Sequence, residues 1–153
     1  MGDVTVRKAT AADAVGLAGL RLGRLSEEDG HGDVDRVAFA ASFSAWVGDH
    51  LETHLPFVAE VGGEVVGMAW LMIAERVPGA TRPYRRCGDV QSVYVVPGKR
   101  DSGIGAALMD AVLAEADRLA LEHVTVHSSD RAVPFYQRAG FQHHRAWLRW
   151  EPE

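Results

Sequence analysis

The stretch that most restricts this chain is VVPGKRDSGIGAALMDAV, residues 95–112. An apolar, strand-like run is stopped by Pro97-Gly98. After Gly103 and Gly105, residues Leu108, Met109, Val112, Leu113, Ala116 and Leu119 fall on one helical stripe running from Gly105 to about Ala120. HVTVH (123–127) follows as another strand, so the region reads as a strand–helix–strand unit. Glycine lacks the Cβ that keeps a ligand off the backbone, and a helix's first turn offers unpaired N–H donors at the positive end of its dipole. The loop therefore suits an anion, with Arg100 as a charged donor beside it, although a plain turn before a helix meets the same pattern. Two nucleotide motifs fail. Gly98 and Gly103 have the outer spacing of a Walker A loop, but Ile104 and Gly105 replace its Lys and Ser/Thr. A dinucleotide fingerprint begun at Gly103 meets Leu108 where Gly or Ala is needed.

The rest of the chain supplies the layers around this unit. VTVRKA (4–9) alternates as a first strand, and Thr10 and Asp13 start a helix carrying Val15, Leu17, Leu20, Leu22 and Leu25. SEEDGHGD (26–33) reads as a loop. A second helical pattern covers 34–51, with Val37, Phe39, Phe43, Trp46 and Val47, and Pro56 bars its extension. PFVAEVGGEVVGMAWLMIAE (56–75) is two β-rich runs around Gly62-Gly63, the residues that the positive φ of a tight hairpin favours. RVPGATRPYRRCG (76–88) is a basic, turn-rich connection, and DVQSVYVV (89–96) is a fourth strand. A short helix at 130–138 precedes FQHHRAWLRW (141–150), a terminal strand pair or an extended tail. The order β-α-α-β-β-β-α-β-α-β predicts an α/β chain of the α+β type, with a mixed, mostly antiparallel central sheet flanked by helices.

Composition narrows the function classes. The 153 residues suit a single domain, 1–153, and a net charge of −5 argues against a general nucleic-acid binder. One cysteine, Cys87, allows no intrachain disulfide. No apolar run approaches the about 18 residues of a membrane span. The start MGDVTVRK has neither a signal-peptide core nor, with Val6 at the sixth position, a myristoylation motif. A cytoplasmic protein without membrane partners is expected.

Downstream of the glycine loop, AVPFYQRAGF (132–141) places an aromatic pair on the short helix and ends it with Gly140-Phe141. The chain thus carries a strand, then Arg100-Asp101-Ser102-Gly103-Ile104-Gly105 opening a long helix, then Ser129-x-x-Ala132-x-x-x-Tyr136-x-x-x-Gly140-Phe141. In this order and spacing it resembles the GCN5-related N-acetyltransferase (GNAT) family, closely over 89–141 and by strand order elsewhere. Ser129 stands where that family usually has Asn.

The resemblance implies acetyl-CoA as cosubstrate, no metal, and a single-domain N-acetyltransferase. Such an enzyme passes the acetyl group to a primary amine of a small molecule or peptide by direct attack in a ternary complex. A non-catalytic acyl-CoA-binding regulatory or interaction domain on the same fold is the alternative. By the same resemblance, backbone amides of Arg100, Asp101, Ser102, Gly103, Ile104 and Gly105, with Ala106, bind the pyrophosphate. Val93, Tyr94 and Val95 pair with the pantetheine arm as an added strand would, and Ser129 contacts that arm. Tyr136 lies against the cofactor and protonates the departing thiolate, a phenol of pKa ~10 facing a thiolate of comparable basicity; a core tyrosine packed on Phe135 is the other reading. Asp89 is the implied general base, acting through water, with Gln91 on its face of the strand; a solvated strand-end carboxylate is its alternative. The oxyanion donor is the N–H of Val95 or of Tyr94.

Other features carry less. His50 and His54 have metal-ligand spacing but no third ligand, and read as a surface pair. His143-His144 would face opposite ways on a strand, and Cys87 has no partner fixed by spacing. In the resembled fold, the first helix–helix connection and the loop after the third strand line the acceptor side, which makes Trp46, Trp70, Tyr84 and residues 26–33 candidates for contact with the substrate. Glu27, Glu28, Asp29, Asp33 and Asp35 make that connection acidic, either a rim favouring a cationic amine or a solvated loop. A terminal strand at 145–150 would also allow a homodimer across a two-fold.

Overall fold

The computed structural model describes residues 2–28 and 33–153. β1 (Val4–Lys8) enters a single 3-10 turn and then α1 (Ala14–Glu27). The turn is set by a capping box: Thr10 accepts from the Ala12 N–H while the Asp13 carboxylate takes the Thr10 N–H at 2.8 Å. Arg7 binds Asp13 at 2.8 Å and Glu60 at 2.5 Å, tying the start of α1 to the first two strands. These bonds, the one from Arg7 foremost, hold the Asp13 carboxyl down at about 2. Its contribution to stability is therefore complete above the ordinary carboxylate value and lost as pH falls from there through about 2. Asp13→Ala should cost about 1 kcal/mol at pH 7. Urea unfolding should show that difference shrinking as pH falls, with wild type and variant converging in acid.

α2 (Arg36–His50) is capped by Asp35, whose carboxylate accepts the Ala38 N–H at 3.0 Å. β2 (His54–Val61) and β3 (Glu64–Glu75) form a hairpin in which Gly62 and Gly63 have φ of 60° and 81°, the geometry the pair implies. β4 (Arg86–Val95), α3 (Ile104–Arg118) and β5 (Val124–Val126) are the strand–helix–strand unit, and α4 (Val133–Arg138) follows. The sheet order is β1-β2-β3-β4-β5; the first three pairings are antiparallel and β4–β5 is parallel. This is the mixed, mostly antiparallel sheet expected of the chain.

Alternation along the strands gives each face its own core. Phe57, Ala59, Leu71 and Val90 pack with Leu108, Met109 and Val112 of α3. Val58, Met68, Trp70 and Tyr94 pack with Leu17 of α1 and Val47 of α2. Among the described residues, no helix is long and apolar enough to cross a membrane.

Several boundaries differ from expectation for physical reasons. α1 runs on through Ser26 and Glu27, assigned to a loop, because Glu27 is bonded to Tyr94 and Arg100. β2 begins at His54 and contains Pro56, whose carbonyl takes the Ala9 N–H beyond the end of β1, so the missing N–H falls where the β1 ladder has ended. β4 starts at Arg86, inside the expected turn region. There Arg76, Arg82 and Arg85 converge on Glu122 and draw its carboxyl down to about 2. Residues 141–150 take the second of their two readings, an extended tail without a strand. It is held by aromatic contacts instead, Phe141 on Tyr136 at 5.6 Å and Trp147 on His123 at 4.6 Å.

Candidate active site

β4 meets β5 only at Gly88, Asp89 and Val90, and from there to Val95 it pairs with β3 alone. The sheet therefore opens on that side. A β-bulge marks the place: Trp70 pairs with Gln91 and Met68 with Tyr94, so β4 carries an extra residue, and Ser92 has φ of 52°. The bulge reverses the strand's faces, so Val90 enters the α3 core while Tyr94 enters the α1/α2 core. The carbonyls of Val93 and Val95 point into the opening, where they accept from Arg24 Nη1 at 3.3 Å and Arg100 Nε at 2.8 Å. N–H and C=O of one extended residue share an edge. Hence Val95 presents its N–H to the opening, whereas Tyr94, in register with Met68, turns its own toward β3.

A cleft of about 600 Å³ occupies this opening. Of the residues singled out from sequence, Val93, Tyr94, Val95, Arg100, Asp101, Gly103, Ile104, Gly105, Ala106 and Tyr136 line it. Gly103 is the N-cap of α3 at φ 86°, preceded by Asp101 at 61°, and no side chain caps the helix. The N–H groups of Ile104, Gly105 and Ala106 are thus left for a ligand, the first helical bond being Ala107 N–H to Gly103 O at 3.0 Å. A Cβ on Gly105 would stand 3.2 Å from the Phe135 ring, so that glycine lets α4 approach α3.

Three residues named from the sequence make other bonds within the protein. The Arg100 side chain, within the cleft lining, binds Glu27 at 2.9 Å and the Val95 carbonyl, 5.3 Å over the Tyr94 ring. Ser102 does not line the cleft, its hydroxyl being spent on the Lys99 carbonyl at 2.6 Å. Ser129 is also outside the lining, at the turn before α4, where its carbonyl takes the Ala132 N–H. Lys99, Arg138 and Phe135 also line the cleft. The signal for Phe135 was the small residue, Gly105, that its ring requires opposite.

Tyr136 sits on α4 between Phe135 at 5.0 Å and Phe141 at 5.6 Å. Burial raises its phenol above the ordinary value, opposed by the positive charge of Arg24. Asp89 is not in the cleft. It lies on the α1/α2 face where the sheet is still closed, accepting from Thr125 Oγ1 at 2.6 Å and Gln91 Nε2 at 3.2 Å. In register, Met72 stands opposite Asp89 and Trp70 opposite Gln91.

That face is walled by an aromatic cluster. Trp46 stacks on His50 at 4.2 Å and meets His54 at 4.9 Å, while Phe43 meets Trp70 at 6.0 Å. His50 and His54 are half-buried in this cluster rather than a surface pair. Burial first, and His50 second, push the His54 imidazole down. Trp70 Nε1 is buried with no partner among the described residues. Tyr84, 96% exposed, contributes no wall. The acidic connection is largely neutralised: Glu27 is held by Arg100 and Tyr94, Glu28 pairs with Arg24 at 3.3 Å, and Asp35 caps α2. Asp29 lies outside the described residues.

Residues 40–147 match the family model of the acetyltransferase (GNAT) domain. The chain is 33% identical over 93 residues to glucosamine 6-phosphate N-acetyltransferase of Trypanosoma brucei brucei, covering 61% of each. It is 31% identical over 97 residues to mycothiol acetyltransferase of Geodermatophilus obscurus, covering 61% of this chain and 30% of that one. The matched stretch thus spans less than two thirds of either relative. A predicted acetyltransferase from Clostridium acetobutylicum, solved with acetyl-CoA, superposes with a TM-score of 0.78 at 22% identity over 97% of this chain and 96% of that one. With most of its length inside the family model, the chain belongs to the GNAT acetyltransferase domain family.

Proposed function

We propose that the chain, acting as one domain in the cytoplasm, transfers the acetyl group of acetyl-CoA to a primary amine of a small molecule or peptide by direct attack in a ternary complex. The observation that carries this reading is the cleft of about 600 Å³, which joins an open strand edge, an uncapped helix N-terminus and Tyr136. When bound, acetyl-CoA supplies an acetyl thioester. The amides from Arg100 to Ala106 hold its pyrophosphate, with Lys99 and Arg138 adding positive charge. Val93 and Val95 exchange their arginine contacts for the amides of the pantetheine arm. The Val95 N–H, facing the opening, donates to the oxygen on which negative charge develops. Tyr136, protonated at neutral pH as a phenol of ordinary pKa ~10 is and raised further by burial, gives its proton to the leaving thiolate. Asp89, on the acceptor face with Gln91, receives the ammonium proton through water. A relative named for a phosphorylated amino sugar fits a small-molecule acceptor.

A thiol-release screen over primary amines, with products identified by mass spectrometry, tests this. Amine-dependent release of CoA with an N-acetylated product is expected. Acetyl-CoA binding with no release across the panel would overturn the reading in favour of a non-catalytic acyl-CoA-binding domain.

A further inference from the structure

Arg21 and Arg24 occupy successive turns on one face of α1. Arg21 Nη1 donates to Ser92 Oγ at 2.6 Å, at the bulge where β4 parts from the sheet. Arg24 reaches the Val93 carbonyl beside it. Arg21 is half-buried and, among the described residues, has no carboxylate within salt-bridge distance. Its pKa is pushed down by burial first and by Arg24 second, against the opposing charge of Glu28. Both arginines line a cavity of about 130 Å³ between the end of α1 and the start of α2, together with Glu28 and Phe39. Glu28, paired with Arg24 at 3.3 Å, answers one of the two charges, and a guanidinium withdrawn from water beside another cation is costly unless a second anion joins it.

We infer that Arg21 and Arg24 form an anion subsite for the acceptor, so that the amine acetylated here carries a phosphate or a carboxylate. The inference rests on the transferase reading above. The cofactor does not meet this demand, since the pantetheine arm is uncharged and the pyrophosphate amides lie at the start of α3. Arg24 nonetheless stands close enough to the reaction centre for its charge to act on the Tyr136 phenol. From the cavity, Phe39 leads to Phe43 at 5.4 Å and Phe43 to Trp70 at 6.0 Å, and Trp70 stands opposite Gln91. This aromatic series runs along the α1/α2 face from the arginines toward Gln91 and Asp89, where the acceptor amine is proposed to lie. The cavity matches a phosphate or carboxylate group in size, not a whole acceptor.

The test has a binding arm and a rate arm. Protein saturated with CoA is titrated with inorganic phosphate while the arginine Nε–H resonances are followed by NMR. Saturable shifts at Arg21 and Arg24 are expected, and none at either would overturn the subsite. In the rate arm, amines are compared in matched pairs, hexosamines with their 6-phosphates and amino acids with their amides. At least a tenfold preference in kcat/KM for the charged member of a pair is expected, converging toward unity in Arg21→Gln with acetyl-CoA affinity unchanged. A preference for neutral members, or an equal loss of acetyl-CoA affinity, would contradict the assignment. Should Arg21→Gln fail to fold, the wild-type phosphate titration still decides. Thiol release without a phosphate shift would overturn the subsite alone. A phosphate shift without release from any amine would overturn the transferase reading and leave an anion site.

Discussion

Tyr136→Phe is expected to lower turnover by roughly 10²- to 10⁴-fold, the usual worth of a general acid, with acetyl-CoA affinity little changed. The substitution keeps the ring that packs against Phe135 and Phe141 and removes only the hydroxyl. A phenol of ordinary pKa ~10 is protonated through neutral pH, burial raises it further, and activity limited by it should fall only in the alkaline range. That alkaline limb should be absent from the variant's residual rate. Steady-state thiol release across pH, with calorimetric titration of acetyl-CoA alongside, separates the two quantities. Turnover equal to wild type would remove Tyr136 from proton transfer and leave it as a packing residue.

Gly103→Val acts on binding instead. At φ 86° an L-residue costs roughly 1–2 kcal/mol, and a β-branched one more. A Cβ at this position meets no atom within 4 Å, so the penalty comes from the backbone and not from a clash inside the protein. The loop relieves it by rotating, which turns the free amides of Ile104, Gly105 and Ala106 away from one focus. Acetyl-CoA affinity should fall at least tenfold, the equivalent of about 1.4 kcal/mol. Gly98→Ala is the control: its Cβ also meets nothing and its φ is not left-handed, so binding should persist.

The parts of the molecule that could be read from its sequence are those with local causes. Gly62-Gly63 and Gly103 answer to backbone geometry within a few residues, and the α3 stripe and the Tyr136 helix to short-range periodicity. What escaped reading depends on partners distant along the chain. Ser92 carries no sign of its bulge, which exists because β4 has one residue more than β3 can pair. Arg100 looks like an anion donor until Glu27, 73 positions away, claims it. Arg21 falls between the apolar positions of α1, and only contact with Ser92 reveals where it points. The tail fails to become a strand because its aromatic residues find His123 and Tyr136 instead of a strand partner.

The central claim is that the opening between β4 and β5 holds acetyl-CoA. Isothermal titration of the protein with acetyl-CoA tests it most directly. Saturable binding at a single site is predicted, retained in Gly98→Ala and weakened at least tenfold in Gly103→Val. No saturable heat, or binding indifferent to Gly103→Val, would contradict it.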